Sequence, residues 1–182
     1  MSQPTRLTDV ATLRSQAREH IERGAVTAGY SADRTQVLKL LNEALATEIV
    51  CVLRYRRHHF MASGIHGKSV GAEFLVHSNE EQGHADLLAA RIVQLGGEPD
   101  FSPDHLSQRS HAEYVAGNTL VQMIREDLVA ERIAIDSYRD MIRYLGDQDP
   151  TTSTLLKQIL AVEEEHADEL ADLLEGMPAQ LV

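Results

Sequence analysis

Two stretches of this chain pair a carboxylate with an imidazole at the same spacing: Glu81-Gln82-Gly83-His84 and Glu163-Glu164-Glu165-His166. Each is followed by Ala-Asp, so both read Glu-x-x-His-Ala-Asp-x-Leu, over Glu81–Leu88 and Glu163–Leu170. Residues three apart share one face of a helix, so each Glu and His can aim at a single object. An inward carboxylate and imidazole point to a metal ion, because unpaired buried charge is costly. One such motif is a weak signal in a chain with nine His, and its ordinary meaning is a solvated face. Here only two of the nine His follow a Glu at this spacing, and both lie inside the longer repeat. The repetition carries the signal.

Helical hairpins supply the missing partners. Residues on adjacent antiparallel helices reach the same height when they are equidistant from the turn. Reflecting Glu81 through the glycine loop near Gly64 reaches Glu48, and reflecting Glu163 through Asp147 reaches Glu131. The separations, 33 and 32 residues, agree, and Tyr55 and Tyr138 each lie seven residues beyond their Glu, two turns along one face. Glu48 shares its stripe with Leu41, Leu45 and Val52, and Glu131 shares its stripe with Leu120, Ile124, Leu128 and Ile135. Four carboxylates buried together repel, and their pKa values rise unless cations neutralise them; two divalent cations would do so. Hard oxygen donors with two imidazoles suit iron or manganese better than a structural zinc.

The elements that must position these residues are long helices. Helical periodicity with stop signals predicts helices over about 32–62, 70–95, 112–145 and 150–175, with Gly117-Asn118 able to delay the third. Asp149-Pro150 reads as an N-cap followed by the first helical residue. The 98–109 connection holds two prolines and room for a short helix after Ser102-Pro103. Four long helices read as an all-α four-helix bundle of two helical hairpins joined by a long crossover, assigned to 31–182. Residues 1–30 are assigned to an N-terminal arm and a short amphipathic helix. Met1–Thr8 forms the loose arm, and Asp9–Arg23 the helix, which is expected to dock on the bundle or on a neighbouring subunit.

Composition agrees with this reading. Helix formers dominate, aromatics are 4 %, and Trp is absent. No apolar run approaches the ~18 residues of a membrane helix, so a soluble cytoplasmic protein without a membrane partner is expected. A single cysteine, Cys51, excludes an internal disulfide framework and reads as a small buried filler. A formal net charge of −11 disfavours a nucleic-acid partner without closing that option, and it concentrates cations near the surface.

With these residues in place, the chain resembles the ferritin-like superfamily, and bacterioferritins most closely at the site. The segments that carry the resemblance are Leu41-Asn-Glu-Ala-Leu-Ala-Thr-Glu48 with Tyr55, Glu81-x-x-His84-Ala-Asp86, Asp127-Leu-x-x-Glu131 and Glu163-x-x-His166. A Glu from each of two helices and Glu-x-x-His from the other two is the general description of a di-iron bundle. The resemblance spans about 35–174. It implies two iron ions per subunit. Glu48 and His84 would be terminal ligands of one, Glu131 and His166 of the other, and Glu81 and Glu163 would bridge. Tyr55 would stand beside the site as a hydrogen-bond partner or a one-electron donor. Glu80 and His58 match polar family positions, with a solvated role expected for both, and the remaining His are expected at the surface.

Three departures qualify the resemblance. Gln82 stands where bacterioferritins carry a haem-ligating Met, so haem is not expected. Only six residues follow Gly176, too few for the fifth helix that builds a 24-subunit cage. The N-terminal helix and long crossover are instead similar to those of Dps-like proteins, so a hollow dodecamer is favoured over a 24-mer. The implied activity is a ferroxidase that oxidises Fe(II) with O2 or H2O2 and stores ferric mineral in the shell. Two alternatives stay open. One is another di-metal enzyme on the same bundle: a peroxidase, a manganese catalase or a hydroxylase. The other is a Dps-like DNA-protecting protein.

Overall fold

The computed structural model describes residues 7–177. The expected arm lies outside them up to Arg6, as does the stretch after Met177, where the absence of a fifth helix was expected. The described residues form six α-helices and no strand. Four are long: α2 (Arg34–Met61), α3 (Gly67–Gln94), α5 (Leu120–Leu145) and α6 (Pro150–Glu175). Two are short: α1 (Val10–Gln16), and α4 (Leu106–Arg109) in the crossover. The chain is an all-α four-helix bundle, with α2 against α3 and α5 against α6 as hairpins.

Local chemistry sets the helix ends. Asp33, Thr119 and Asp149 each cap a helix by accepting from the backbone N–H three residues on, with Pro150 opening α6. Gly146 ends α5 at φ +48°, a left-handed conformation that favours glycine. Near the first turn, α2 and α3 approach so closely that a Cβ on Gly71 would lie 3.1 Å from the Ala62 Cβ and 3.3 Å from the His59 carbonyl.

The core is divided along the bundle axis. One apolar cluster holds Leu41, Leu45, Leu88, Ile92, Leu156 and Ile159; the other holds Cys51, Tyr55, Phe74, Ile124 and Leu170. Each buried aliphatic side chain contributes roughly 1.5–3 kcal/mol. Between the clusters, at the height of Glu48, Glu81, Glu131 and Glu163, the interior turns polar. Cys51, in the second cluster, is a buried free thiol, as expected.

Two elements differ from the sequence expectation. The third long helix begins at Leu120 because α2 side chains take the backbone groups of the preceding segment. Thr47 Oγ1 accepts from His111 N at 2.9 Å, Arg54 Nη1 donates to the Glu113 carbonyl at 3.1 Å, and His58 Nε2 donates to the Ala116 carbonyl at 2.9 Å. The N-terminal helix stops at Gln16 rather than Arg23, with His20 in the left-handed region before a single 3-10 turn at Ile21–Arg23. It buries no residue, leaving Val10 and Leu13 more than half exposed, so nothing in the bundle supports a longer helix.

Candidate metal centre

Each long helix sends ligand-type side chains to the polar layer: Glu48 from α2, Glu81 and His84 from α3, Glu131 from α5, Glu163 and His166 from α6. All six are buried, none more than 6 % exposed. They form two groups that could each hold a metal, Glu48–Glu81–His84–Glu163 and Glu81–Glu131–Glu163–His166, with ligand atoms within 4.8 Å of one another. Glu81 and Glu163 belong to both groups. His84 Nδ1 lies 3.5 Å from Glu48, 3.3 Å from Glu81 and 3.0 Å from Glu163. His166 Nδ1 lies 3.5 Å from Glu81 and 3.7 Å from Glu163. Both imidazoles therefore present Nδ1 inward.

A surrounding set of side chains fixes these orientations. The Tyr138 hydroxyl donates to Glu48 Oε1, and the Tyr55 hydroxyl donates to Glu131 Oε1. Glu48 and Glu131 are thus each pinned by one oxygen, with the other left without a partner. His166 Nε2 donates to Glu80 Oε2 at 2.8 Å, which leaves Nδ1 as the lone-pair nitrogen once the ring is neutral. The inward atoms Glu48 Oε2, Glu81 Oε1, Glu131 Oε2, both Glu163 carboxylate oxygens and His166 Nδ1 are buried with no hydrogen-bond partner.

The electrostatics describe a site built around positive charge. Burial, reinforced by repulsion from Glu163 and Glu81, raises Glu48 well above the ordinary carboxylate range. Burial and the charges of Glu81 and Glu163 do the same to Glu131. Burial pushes Glu81 upward too, but the close imidazoles of His166 and His84 outweigh it and hold Glu81 below its usual value. Burial lowers both imidazoles, yet close contacts with the carboxylates, Glu163 first, overcome it and bring His84 up to about 12 and His166 to about 11. In the metal-free protein two imidazolium rings stand in for cations. Two divalent cations would balance four carboxylates with both rings neutral, so the residues fit a di-metal ion pair.

The structure brings together all seven residues expected at the site, Tyr55 included. It also crosses the tyrosines: Tyr55 of α2 serves Glu131 of α5, and Tyr138 of α5 serves Glu48 of α2. Tyr138 was visible as the partner of Tyr55 in the repeat, but its role follows only from the packing. His58 corrects an expectation: it is fully buried, bonded to Asp127 at 2.8 Å and to the Ala116 carbonyl. His77 is a second correction, since it is fully buried and stacked on His166 with ring centroids 4.1 Å apart. Its signal was its position, four residues before Glu81 on the same face. Glu80 is exposed as expected but touches the site through His166.

Known proteins resemble this chain in sequence and fold. The family model described as "Ferritin: Ferritin-like domain" matches residues 38–179. A bacterioferritin from Mycobacterium avium is 33 % identical over 143 residues, covering 78 % of this chain and 86 % of that protein. A "DNA protection during starvation protein" from Pyrococcus furiosus is 28 % identical over 166 residues, covering 88 % of each. Among solved structures, a bacterioferritin-related dodecameric thioferritin from Bacteroides fragilis superposes with a TM-score of 0.76 at 31 % identity, covering 79 % of this chain and 86 % of that one.

Proposed function

This chain belongs to the ferritin-like domain family, and on that premise we propose that it is a ferroxidase and iron-storage protein with a di-iron centre inside each subunit. The observation that carries the reading is the pair of metal-holding groups sharing Glu81 and Glu163, whose inward oxygens have no partner in the protein. Glu48 and His84 would hold one ferrous ion, Glu131 and His166 the other, and Glu81 and Glu163 would be common to both. Fe(II) is the substrate. Two ions give up one electron each; with two protons, the pair of electrons reduces O2 to H2O2 or H2O2 to two waters.

The chain's own groups do four things. Six donors bind and pair the ions. Tyr55, Tyr138 and Glu80 hold those donors in register. The apolar clusters on either side exclude bulk water, which strengthens every charge interaction between them. His84 and His166 carry protons in the metal-free protein and would give them up on binding metal. Haem plays no part in this reading, because Gln82 replaces the Met that would ligate it.

Ferric product is stored in a hollow homo-oligomer, with twelve subunits favoured over 24; the similar Bacteroides fragilis protein is dodecameric. The test mixes metal-free protein with Fe(II) in air and follows ferric absorbance, then measures particle mass. Wild type is expected to oxidise and accumulate iron in a cage, and Glu48→Ala and His166→Ala to oxidise it no faster than buffer. Equal rates in the variants overturn the site assignment. A small oligomer that consumes H2O2 without accumulating iron overturns the storage function.

A further inference from the structure

Next to the buried centre, on the α3–α6 seam, lies a second constellation of ligand type that the proposed reaction does not use. Glu73 and His77 from α3 and Glu169 from α6 bring one ligand atom each to within 4.8 Å of the others. His77 Nε2 is 2.8 Å from Glu169 Oε2 and 3.9 Å from Glu73 Oε1. The first distance is a hydrogen bond, but the second lies beyond hydrogen-bond reach, so one ring proton serves one of two carboxylates. The His77 side chain is 0 % exposed, whereas those of Glu73 and Glu169 are 40 % and 44 % exposed. On its buried side Nδ1 has no partner, so the polar contacts of the ring all lie toward the two carboxylates. The ring stacks on His166, 4.1 Å between centroids and 20° from parallel, and Tyr55 packs against it at 90°. The imidazole is thus fixed by packing, its outer nitrogen aimed between two oxygen donors that solvent reaches.

We propose that Glu73, His77 and Glu169 form a third divalent-cation site, a loading station through which Fe(II) passes on its way to the buried centre. The donor set, two carboxylates and one imidazole, suits Fe(II), Mn(II), Co(II) or Zn(II). Three protein donors, two of them half-exposed, leave room for water ligands and make the site weaker than the buried one. Weak binding suits transit, because an ion held there can leave again. The position suits it too: His77 lies one helical turn before Glu81, and Glu169 lies three residues after His166, so the two sites share the α3–α6 seam. A simple His77–Glu169 ion pair accounts for the 2.8 Å contact but gives Glu73 no part. The loading role rests on the reading of the centre as a di-metal site; the cation site itself does not.

The test uses Co(II), which reports binding without oxidation. Titration of the metal-free assembly, with anomalous diffraction at the cobalt edge, is expected to show two tight ions and one weaker ion per chain in wild type. Glu73→Gln/Glu169→Gln should lose only the weaker ion, and should slow Co(II) filling of the centre about tenfold at limiting metal. Thermal melting of the metal-free proteins verifies that the variant is folded, and the single variant Glu73→Gln, which spares the His77–Glu169 contact, provides a milder second arm. Absence of a third ion in wild type, or its persistence in the double variant, overturns the site. Loss of that ion with unchanged filling kinetics overturns the loading role. A wild type that binds three Co(II) but never oxidises Fe(II) overturns the ferroxidase reading alone.

Discussion

Two groups of buried charge lie a few turns apart in this bundle and are built on opposite plans. In one, Arg54 of α2 donates through Nε to Asp127 of α5 at 2.7 Å, and His58 meets the other Asp127 oxygen at 2.8 Å. Arg54 Nη1 and His58 Nε2 reach backbone carbonyls, and Arg54 Nη2 reaches Cys51 Sγ at 3.6 Å. The side chains of Arg54, His58 and Asp127 are 0 % exposed, and the cation that balances the carboxylate is part of the protein. In the other group, four equally buried carboxylates face two imidazoles, and every one of the four keeps at least one inward oxygen without a hydrogen-bond partner. Protein interiors rarely leave buried polar atoms unpaired. A charge group completed from within is structural, whereas one left open toward its own centre is shaped for something that arrives.

That contrast breaks most visibly if the closed group is opened. Arg54→Met leaves Asp127 without its cation, and breaking one side of a buried pair costs roughly 3–5 kcal/mol. At about 2–4 °C per kcal/mol for a chain of this size, melting should fall by about 10 °C. Arg54→Met/Asp127→Leu, which removes both charges, should recover much of the loss. A single variant that melts like wild type would mean that the closed group is not structural.

The open group should behave in reverse. Glu163→Ala removes a carboxylate common to both metal-holding groups, and Fe(II) oxidation should fall by more than about 100-fold, the most that loss of a mere supporting partner costs. Metal-free stability should fall much less than in Arg54→Met, because the relief of carboxylate repulsion offsets the loss of a partner for His84 and His166. Stopped-flow absorbance and thermal melting of the same sample measure both outcomes. A metal-free Glu163→Ala protein that melts well below wild type would place Glu163 with the structural residues.

The open group was far more legible in the sequence than the closed one. Metal-type residues recur at fixed spacing, and reflection through two loops needed only the assumption of hairpins, so Glu48 and Glu131 could be placed without coordinates. Pro150 and the glycine stops likewise marked the long helices. Arg54, His58 and Asp127 meet across 69 or more residues of chain with no repeated spacing, so His58 looked like a surface residue. The same limit hid His77, whose burial depends on stacking against His166 from another helix. The N-terminal helix was overextended because periodicity shows that a face exists, not that anything covers it. Apolar spacing and motif repetition are local; pairing between hairpins is not.

Metal ions should close the open group reversibly. A ligand at ten times its Kd stabilises by about 1.4 kcal/mol per site, so Mn(II) should raise the melting temperature of wild type by several degrees, and a chelator should reverse it. The effect has a sign with pH. His84 and His166, brought to about 12 and 11, carry protons at neutrality that a metal must displace. Loading therefore weakens as pH falls, by about tenfold per pH unit for each displaced proton. For the metal-free fold the dependence is opposite: folded pKa values above the unfolded ones stabilise fully below pH ~6.5, and that contribution is lost as pH rises through the folded values. Calorimetric Mn(II) titrations at pH 6 and 8 in buffers of different ionisation enthalpy count the released protons. Zero release would mean that the rings enter the centre already neutral.

The smallest effect separates two roles for the tyrosines. Tyr55 and Tyr138 are buried, and each donates to a buried carboxylate from the opposite hairpin, Glu131 and Glu48 respectively. Burial, with the nearby carboxylates Glu131 for Tyr55 and Glu48 for Tyr138, raises both phenols well above their ordinary range, so both remain protonated donors. If orientation is their whole task, Tyr55→Phe and Tyr138→Phe should be nearly equivalent. Each would lose a hydrogen bond to a charged group, about 1.5–3 kcal/mol at most, with less reaching the rate because the carboxylate keeps its metal contact. Oxidation should then slow only severalfold in either variant. Tyr55 differs in one respect: it alone packs edge-on against His77, 5.2 Å between centroids, in the stack that continues to His166. An electron leaving Tyr55 at substoichiometric iron would give a tyrosyl signal in freeze-quenched electron paramagnetic resonance, absent in Tyr55→Phe and present in Tyr138→Phe. Equal rates and no such signal in wild type would leave both tyrosines as props for the carboxylates, matched across the bundle as the repeat in the sequence is matched along it.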